Sequence, residues 1–497
     1  MKTILPIALL FVLVFASLSP VSASPSRSTE IDFATLDAAV AALMSKHGVP
    51  GVSLAVVQGD EIVYLKGYGT AGTHAMTPQT QMFIGSQSKS FTALAIAQLA
   101  EQGKLDLSAP VQTYIPWFEV ADERASARIT VNHLLHHTSG LSEAGFSVLL
   151  PADAASEEAV RSLAQARLTA PVGSQFQYFN LGYDVLAYLI ETVTGERYAD
   201  YIKAQVFDPL GMTHTTADPA ASTDLSQGYS RLFGFAVPMS QLVRDYEIGA
   251  GFIVSTAEDM ARFALAMKDN GAGLVSPKTA RLIFTPGLGA YGLGWHIVDG
   301  GAKIFHGGAN ETFGTEVNLY PRRDVAFVLL TNVGHQIDHF LSTEQLAQSI
   351  EAILLGNNPP PVAQGWSVRW IGWGIGALVL GLVILHTYNF YHLKGWRERA
   401  RSMSPAKKAW DIGVSFLIPT VILVVVFSQI KAFYGHRFNL LPTIAYFRYG
   451  LPDVFLLMLI GTLPDFIQGL IKLSWTAAGH TGRVPVEPIT QAEPITQ

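Results

Sequence analysis

The chain has 497 residues, carries a formal charge of −6 and contains no cysteine. The missing cysteines exclude disulfides, Fe–S clusters, thiol nucleophiles and Cys-type zinc sites, and the acidic balance gives no footing for a nucleic-acid partner. Charged residues make up only 14% of the sequence against 49% for AVILMFWYC, whereas soluble domains carry about 25% charge, so disorder is excluded and membrane segments are expected.

Residues 1–23 read as a cleaved secretory signal, with an uncleaved anchor helix as the alternative. Lys2 supplies the positive start, Ile4 to Phe15 the apolar run, and Val21-Ser22-Ala23 the small residues before a cleavage site. Residues 30–355 form one domain-sized unit. Leu36, Val40, Leu43 and Met44 recur at helical spacing, and Val52–Val57 and Ile62–Gly67 predict a hairpin. Helices are expected over Phe91–Glu101, Val131–His136, Ser156–Ala166, Leu181–Thr194 and Ala257–Asn270. Strands return at Leu293–Val298, Lys303–His306, Thr315–Tyr320 and Val325–Thr331, and Ser342–Leu355 closes as a helix. Strands at both ends with helices between them predict an α/β domain: an antiparallel sheet built from both termini, with flanking helices and a helical insert.

Asn357-Asn-Pro-Pro-Pro361 marks a proline-rich linker over 356–365, which reads as a stiff, extended spacer. Residues 366–475 then hold three candidate transmembrane helices: Ile371–Leu393, Ile412–Ile430 and, carrying Asp453 and Asp465, Leu451–Ile471. Lys394, Arg397, Arg399, Arg401, Lys407 and Lys408 crowd the loop after the first, against Lys431, Arg437 and Arg448 after the second. Positive loops stay inside, so the domain is expected outside the cell membrane, in agreement with the signal. Residues 476–497 read as a disordered cytoplasmic tail. Asp465, inside the third span, is either a functional group or an interfacial one.

The chemistry centres on Gly85-Ser86-Gln87-Ser88-Lys89, just before the apolar run that starts at Phe91. Lys89 follows Ser86 by three residues and so shares its helix face. A serine hydroxyl needs a neighbouring base to become nucleophilic, and the backbone N–H groups of a helix start can stabilise an oxyanion. The pattern alone is weak, since Ser404–Lys407 and Ser428–Lys431 repeat it. His133, His136 and His137 lack an acidic residue at ligand spacing, so no metal is expected there. His335 and His339 read as a surface pair, and Tyr183 and Tyr188 as core.

A series of short motifs in order gives context: Gly48-Val-Pro-Gly51, Phe83-Ile-Gly-Ser-Gln-Ser-Lys-Ser90, Leu134-Leu-His-His-Thr-Ser-Gly-Leu141, Tyr178-Phe-Asn180, Gly251-Phe-Ile-Val-Ser-Thr256, Tyr291-Gly-Leu-Gly-Trp295 and His306-Gly-Gly308. Through them residues 31–350 resemble the serine β-lactamase and penicillin-binding-protein superfamily, in particular the class C β-lactamase-related serine hydrolases. The resemblance implies Ser86 as acylated nucleophile, Lys89 as its partner and Tyr178 as a second proton shuttle. It implies substrate contacts from Asn180, His306, Gly307, Gly308 and Ala309, with the N–H groups of Ser86 and Ala309 as the oxyanion hole. No cofactor is implied. His306 replaces the lysine that often holds a substrate carboxylate, which puts efficient penicillin hydrolysis in doubt.

The expected function is a membrane-anchored, outward-facing serine hydrolase acting on a small peptide, acyl-peptide or ester. Signal, domain and three helices together resemble the membrane-anchored prodrug-activating D-asparaginyl peptidases, which remove an N-acyl-D-amino-acid cap. The alternatives are a cell-wall D-alanyl carboxypeptidase, a D-aminopeptidase-like enzyme or an esterase, and, in another class, a sensor that is acylated without turnover. Membrane lipid is an expected partner, and a homo-oligomer through the helices a further expectation.

Overall fold

The computed structural model describes residues 31–434, apart from 147, 149, 335–337, 364 and 365, together with residues 451–478. The signal segment, residues 479–497 of the expected tail and His335 lie outside the described residues, while residues 476–478 are helical rather than tail. Helix α1 (Phe33–His47) starts where the Asp32 side chain accepts the Thr35 N–H and stops at Gly48 in the left-handed conformation, the ordinary chemistry of the two helix ends. Strands β1 (Gly51–Gln58) and β2 (Glu61–Gly69) follow as an antiparallel hairpin. The central helix α2 (Ser88–Glu101) is buried all round from Ser88 to Leu99, which its Ala-, Leu- and Ile-rich sequence permits.

Helix α3 (Asn180–Thr194), the hairpin β3 (Tyr229–Leu232) and β4 (Phe235–Pro238), and helix α4 (Ala257–Lys268) complete the middle of the chain. Strands β5 (His296–Val298), β6 (Lys303–Ala309), β7 (Gly314–Tyr320) and β8 (Val325–Thr331) then return to the sheet. Its order is β2-β1-β8-β7-β6-β5, with every pair antiparallel. The first and last thirds of the domain therefore meet at β1–β8, with Val52 opposite Thr331 and Gln58 opposite Val325.

Both faces of that central pair are covered. Val52, Leu54, Val56, Phe327 and Leu329 pack under α1 and α5 (Glu344–Leu354), while Ala55, Val57, Val328 and Leu330 join the larger core around α2 and α4. Burial on two faces explains why β8 reads as the unbroken run Val-Ala-Phe-Val-Leu-Leu-Thr rather than an alternation.

Several expectations need correcting. Leu293–Trp295 is a turn, not strand: Gly292 N–H bonds the Trp295 carbonyl at 2.8 Å. Gly294 there takes φ +77° against the backbone of Lys89 and Ser90, and strand begins only at His296. The helix from Ala257 ends at Lys268 because Asn270 takes φ +51°. That from Ser156 passes into a tighter turn after Ser162. His339 is not a surface residue, because its ring packs on the Gly307 backbone and near Glu316.

Helices α6 (Val368–Ala400), α7 (Pro405–Tyr434) and α8 (Pro452–Ala478) follow. All three are long and apolar enough to cross a membrane. The proline-rich stretch does not hold them away from the domain. Ser367 Oγ donates to the Lys46 carbonyl at 2.8 Å, and the Arg369 side chain lies against Gly48.

Candidate active site

Ser86 sits in a single tight turn, Gly85–Gln87, that feeds into α2. Gly85 takes φ +56°, and a β-carbon there would lie 2.6 Å from the Ala309 nitrogen; one on Gly308 would lie 2.0 Å from the Ile84 carbonyl oxygen. Only glycines allow this approach, so the turn carrying Ser86 presses directly on the end of β6. Thr315 Oγ1 locks it by donating to the Ile84 carbonyl at 2.8 Å. The second serine of the motif has a different role. Ser88 Oγ donates to the Gly85 carbonyl at 2.8 Å and accepts the Ile253 N–H at 3.1 Å, so it is a buried brace of the turn.

Lys89 is fully buried. Its ammonium donates to Ser86 Oγ at 3.1 Å, Asn180 Oδ1 at 2.8 Å and the Ala250 carbonyl at 2.7 Å. All three donors of the group are thereby used. The Tyr178 ring lies beside it, its centroid 4.9 Å from Nζ. Ser86, Lys89, Tyr178 and Asn180 thus converge from the start of α2 and the start of α3. The Ala250 carbonyl is a partner that sequence reading missed. Its N–H in turn donates to buried Asp184 Oδ1 at 3.0 Å, and burial, with Glu247 nearby, pushes that carboxyl well above the usual range.

The histidines divide into three structural tasks. His133 caps its own short helix through Thr130. His136 Nδ1 donates to the Tyr291 carbonyl at 2.9 Å. His137, in the left-handed conformation and buried, holds the Tyr178 segment from three sides. Its carbonyl accepts the Gln177 N–H at 2.7 Å, its Nδ1 accepts the Phe179 N–H at 3.2 Å, and its ring lies 4.3 Å from that of Tyr178. Burial, with the Lys89 charge nearby, keeps this imidazole neutral, well below the usual range. The Leu134–Leu141 motif marked the segment but not this work. Among the described residues no group of three His, Asp or Glu side chains is placed to hold a metal ion.

His306 stands on β6 but does not open onto the cleft. It is 2% exposed. Nδ1 donates to the Gly307 carbonyl at 2.6 Å, and Nε2 accepts the Tyr291 hydroxyl at 3.0 Å. Burial, followed by the charges of His296 and Lys89, holds it well below the usual imidazole range. Its side chain therefore braces the strand, with both ring nitrogens taken up by the Gly307 carbonyl and the Tyr291 hydroxyl. Tyr183, expected in the core, is buried there with its hydroxyl on the Leu135 carbonyl at 2.8 Å.

The charged groups around Lys89 are mostly acidic. Arg244 bridges Glu247 at 3.5 Å and Glu311 at 2.9 Å, and Glu143 accepts the Asn180 N–H at 3.2 Å. Desolvation pushes Glu247 up to about 7 against the pull of Arg244, with Glu143 and Glu311 adding to the rise, although 28% of its side chain still meets solvent.

A sheet assembled from both ends of the domain, with a half-buried serine held by a fully buried lysine at the foot of its central helix, defines a class of serine acyl-transfer folds. The chain belongs to the Beta-lactamase family, whose model matches residues 36–351. It is 28% identical over 315 residues to protein Flp of Staphylococcus aureus strain N315, covering 59% of this chain and 61% of that one. It is 30% identical over 329 residues to the unguisins hydrolase ungD' of Aspergillus campestris, covering 60% and 61%. The chain thus spans about 61% of the length of these curated relatives. Among solved structures, the octameric penicillin-binding protein homologue from Pyrococcus abyssi aligns with a TM-score of 0.58 at 26% identity, covering 66% of this chain and 78% of that one.

Proposed function

We propose that the protein is a membrane-anchored serine hydrolase that cleaves an amide or ester through an acyl-enzyme on Ser86. The observation that carries this reading is the contact of Ser86 Oγ with the buried Lys89 ammonium, beside Tyr178 and at the end of β6. Ser86 Oγ attacks the carbonyl carbon while its proton passes to the Lys89–Tyr178 pair and on to the leaving amine or alcohol. Lys89 has three acceptors already, so it must release a proton before it can take one, and Tyr178 is the group beside it to relay that proton. The N–H groups of Ser86 and Ala309, brought together by the glycine contact, receive the developing oxyanion. Water then releases the acyl group along the same proton path.

The surroundings favour a substrate without a free carboxylate next to the scissile bond. Lys89 is occupied, His306 is neutral and buried, and Arg244 is already paired with Glu247 and Glu311. That composition supports a peptide cap, amide or ester over the carboxylate-ended peptide of a D-alanyl carboxypeptidase. Removal of an N-acyl-D-amino-acid cap fits it, and the hydrolase relative supports turnover over a silent sensor. The basic loop after the first apolar helix supports a catalytic domain that faces outward.

The test is release of p-nitrophenol from a p-nitrophenyl acyl ester by the full-length protein, followed by a comparison of D-amino-acid amides with the corresponding free-acid peptides. Turnover lost in Ser86→Ala, with the amides preferred, is expected. Equal turnover in Ser86→Ala would remove the acyl-enzyme, and preference for the free acids would remove the substrate assignment.

A further inference from the structure

The hairpin β3–β4 escapes the sequence reading, and it is oddly built. Its tip is Leu232-Phe233-Gly234-Phe235, with φ +50° at Phe233 and +82° at Gly234. Positive φ at both central residues is the tight hairpin turn normally made by Asn-Gly or Asp-Gly, and a bulky aromatic in that conformation is a steric outlier. The strain has a counterpart. The Phe233 side chain packs on Gly376 of α6, and Gly372 of α6 comes so close that a β-carbon on it would lie 2.0 Å from the Gly234 nitrogen. Phe235, 59% exposed, lies beside Trp373 with the ring centroids 6.4 Å apart and the planes tilted by 47°, and Val237, two residues along the same strand face, is also exposed.

The hairpin is anchored one pair back from its tip, where Arg231 lies opposite Ala236. Arg231 and Asp338 form a fully buried ion pair at 2.7 Å, and Arg231 also donates to the Gly48 carbonyl at 2.9 Å. The tip is thus fixed at a set level along α6, and that level can be counted. A bilayer core takes about 20 helical residues. The inner boundary of α6 is marked by the exposed aromatic Tyr391 or by Lys394, the first charge after Arg369. About 20 residues back from these two lie Ile371 and Gly374 respectively. Either count puts Gly372 to Gly376, and the hairpin tip against them, at the outer edge of the hydrocarbon, with exposed Trp366 and Trp370 just above as an interfacial belt.

From this we infer that the β3–β4 hairpin is a membrane-seating element: Phe235 and Val237 rest in the lipid surface, with Phe233 sealing the tip to α6. The inference rests on reading α6 as a membrane span. The partner is the bilayer itself, since the tip is continuous with the span and its exposed side chains are apolar. The seat is also tied to the site. The chain leaving Pro238 is held to the cleft by the bonds of Gln241 to Thr312 at 2.7 Å and of Arg244 to Glu311, and ends at Ala250, which accepts from Lys89. The cleft wall that includes the Lys89 acceptor therefore rises directly from the lipid surface.

The cysteine-free chain allows a direct test. Full-length Phe235→Cys, Leu380→Cys and Asp60→Cys proteins are each labelled with an NBD fluorophore in phosphatidylcholine nanodiscs. Leu380 is exposed mid-way along α6, and Asp60 is exposed in the β1–β2 turn, at the far end of β1 from Gly51. Phosphonylation of Ser86 confirms that each variant is folded. The expected result is blue-shifted emission, loss of iodide quenching and quenching by 5-doxyl lipid at positions 235 and 380, with the reverse at 60. A label at 235 that iodide reaches as readily as at 60, with 380 in lipid, overturns the seat alone. Protection from iodide at 235 without doxyl quenching means protein cover and overturns it as well. Iodide access at 380 overturns the membrane reading and the seat together.

Discussion

The catalytic domain and the three C-terminal helices use apolar residues in opposite directions. In α2, Leu94 and Ile96 are fully enclosed, and the polar Ser88 and Lys89 are buried with them because each polar atom has a partner. In α6, Leu380 and Ile384 are each 61% exposed. The buried residues there include His386, at 3.4 Å from Asp465 of α8. The domain hides its oil and pairs its polar groups at the cleft. The helices show their oil and keep the His386–Asp465 pair between them. A water-surrounded fold and a lipid-surrounded bundle are expected to differ in this way, because hydrocarbon offers no partner to a polar atom.

The comparison is tested first where the domain should be least tolerant. Lys89→Arg keeps the positive charge but cannot release a proton in a protein. It should be nearly as inactive as Lys89→Ala, in an ester-hydrolysis assay on protein whose melting curve is unchanged. Tyr178→Phe should cost about 10²–10⁴-fold in kcat, the usual share of a proton-transfer residue. An active Lys89→Arg enzyme would take lysine out of proton transfer and leave Tyr178 to fill it.

Packing should show the next largest effect. Leu94→Ala removes a fully enclosed side chain from the core and should destabilise the domain by about 2–5 kcal/mol, read by chemical denaturation. A loss under 1 kcal/mol would mean that the core around α2 is not close-packed.

A pH dependence of comparable or smaller size is expected from Glu316 on β7. Burial pushes its carboxyl up to about 7 from 4.5, against the opposing pull of Lys303. The folded protein then keeps a proton that the unfolded chain has given up. The stability this brings is complete below about pH 4.5 and is lost as pH rises through about 7, by roughly 3 kcal/mol at most. Glu316→Gln should flatten the curve of melting temperature against pH across that window. An unchanged slope would remove the assignment.

The smallest effect belongs to the helices. Leu380→Ala, the same exchange as Leu94→Ala, should cost only about 0.5 kcal/mol of membrane insertion, read as the fraction of chain recovered in membranes. A cost as large as that of Leu94→Ala would mean that Leu380 packs against protein, and would erase the contrast.

What the sequence could show follows how local each signal is. Ser86 and Lys89 are legible because three residues of helix bring them together with no help from the rest of the chain. Tyr178 and Asn180 were reached only through motif resemblance, since nothing local ties them to Ser86. The Ala250 carbonyl had no signature at all, because every residue carries one. The packing of His306 was not legible for a related reason: Tyr291, whose hydroxyl meets its Nε2, is fifteen residues away and recognisable only in three dimensions. Sheet strands were legible from their apolar runs, but Leu293–Trp295 imitates one while Gly294 turns the chain away. The β3–β4 hairpin was missed because Phe233-Gly234 stands where the familiar Asn-Gly would have announced a turn.

The central claim is that Ser86 is the acylated residue of the cleft. The most direct measurement is peptide mapping by mass spectrometry after the full-length protein reacts with a fluorophosphonate. One adduct, on the peptide carrying Ser86 and absent in Ser86→Ala, is the predicted result. An adduct on Ser88 or elsewhere, formed at the same rate in Ser86→Ala, would contradict it.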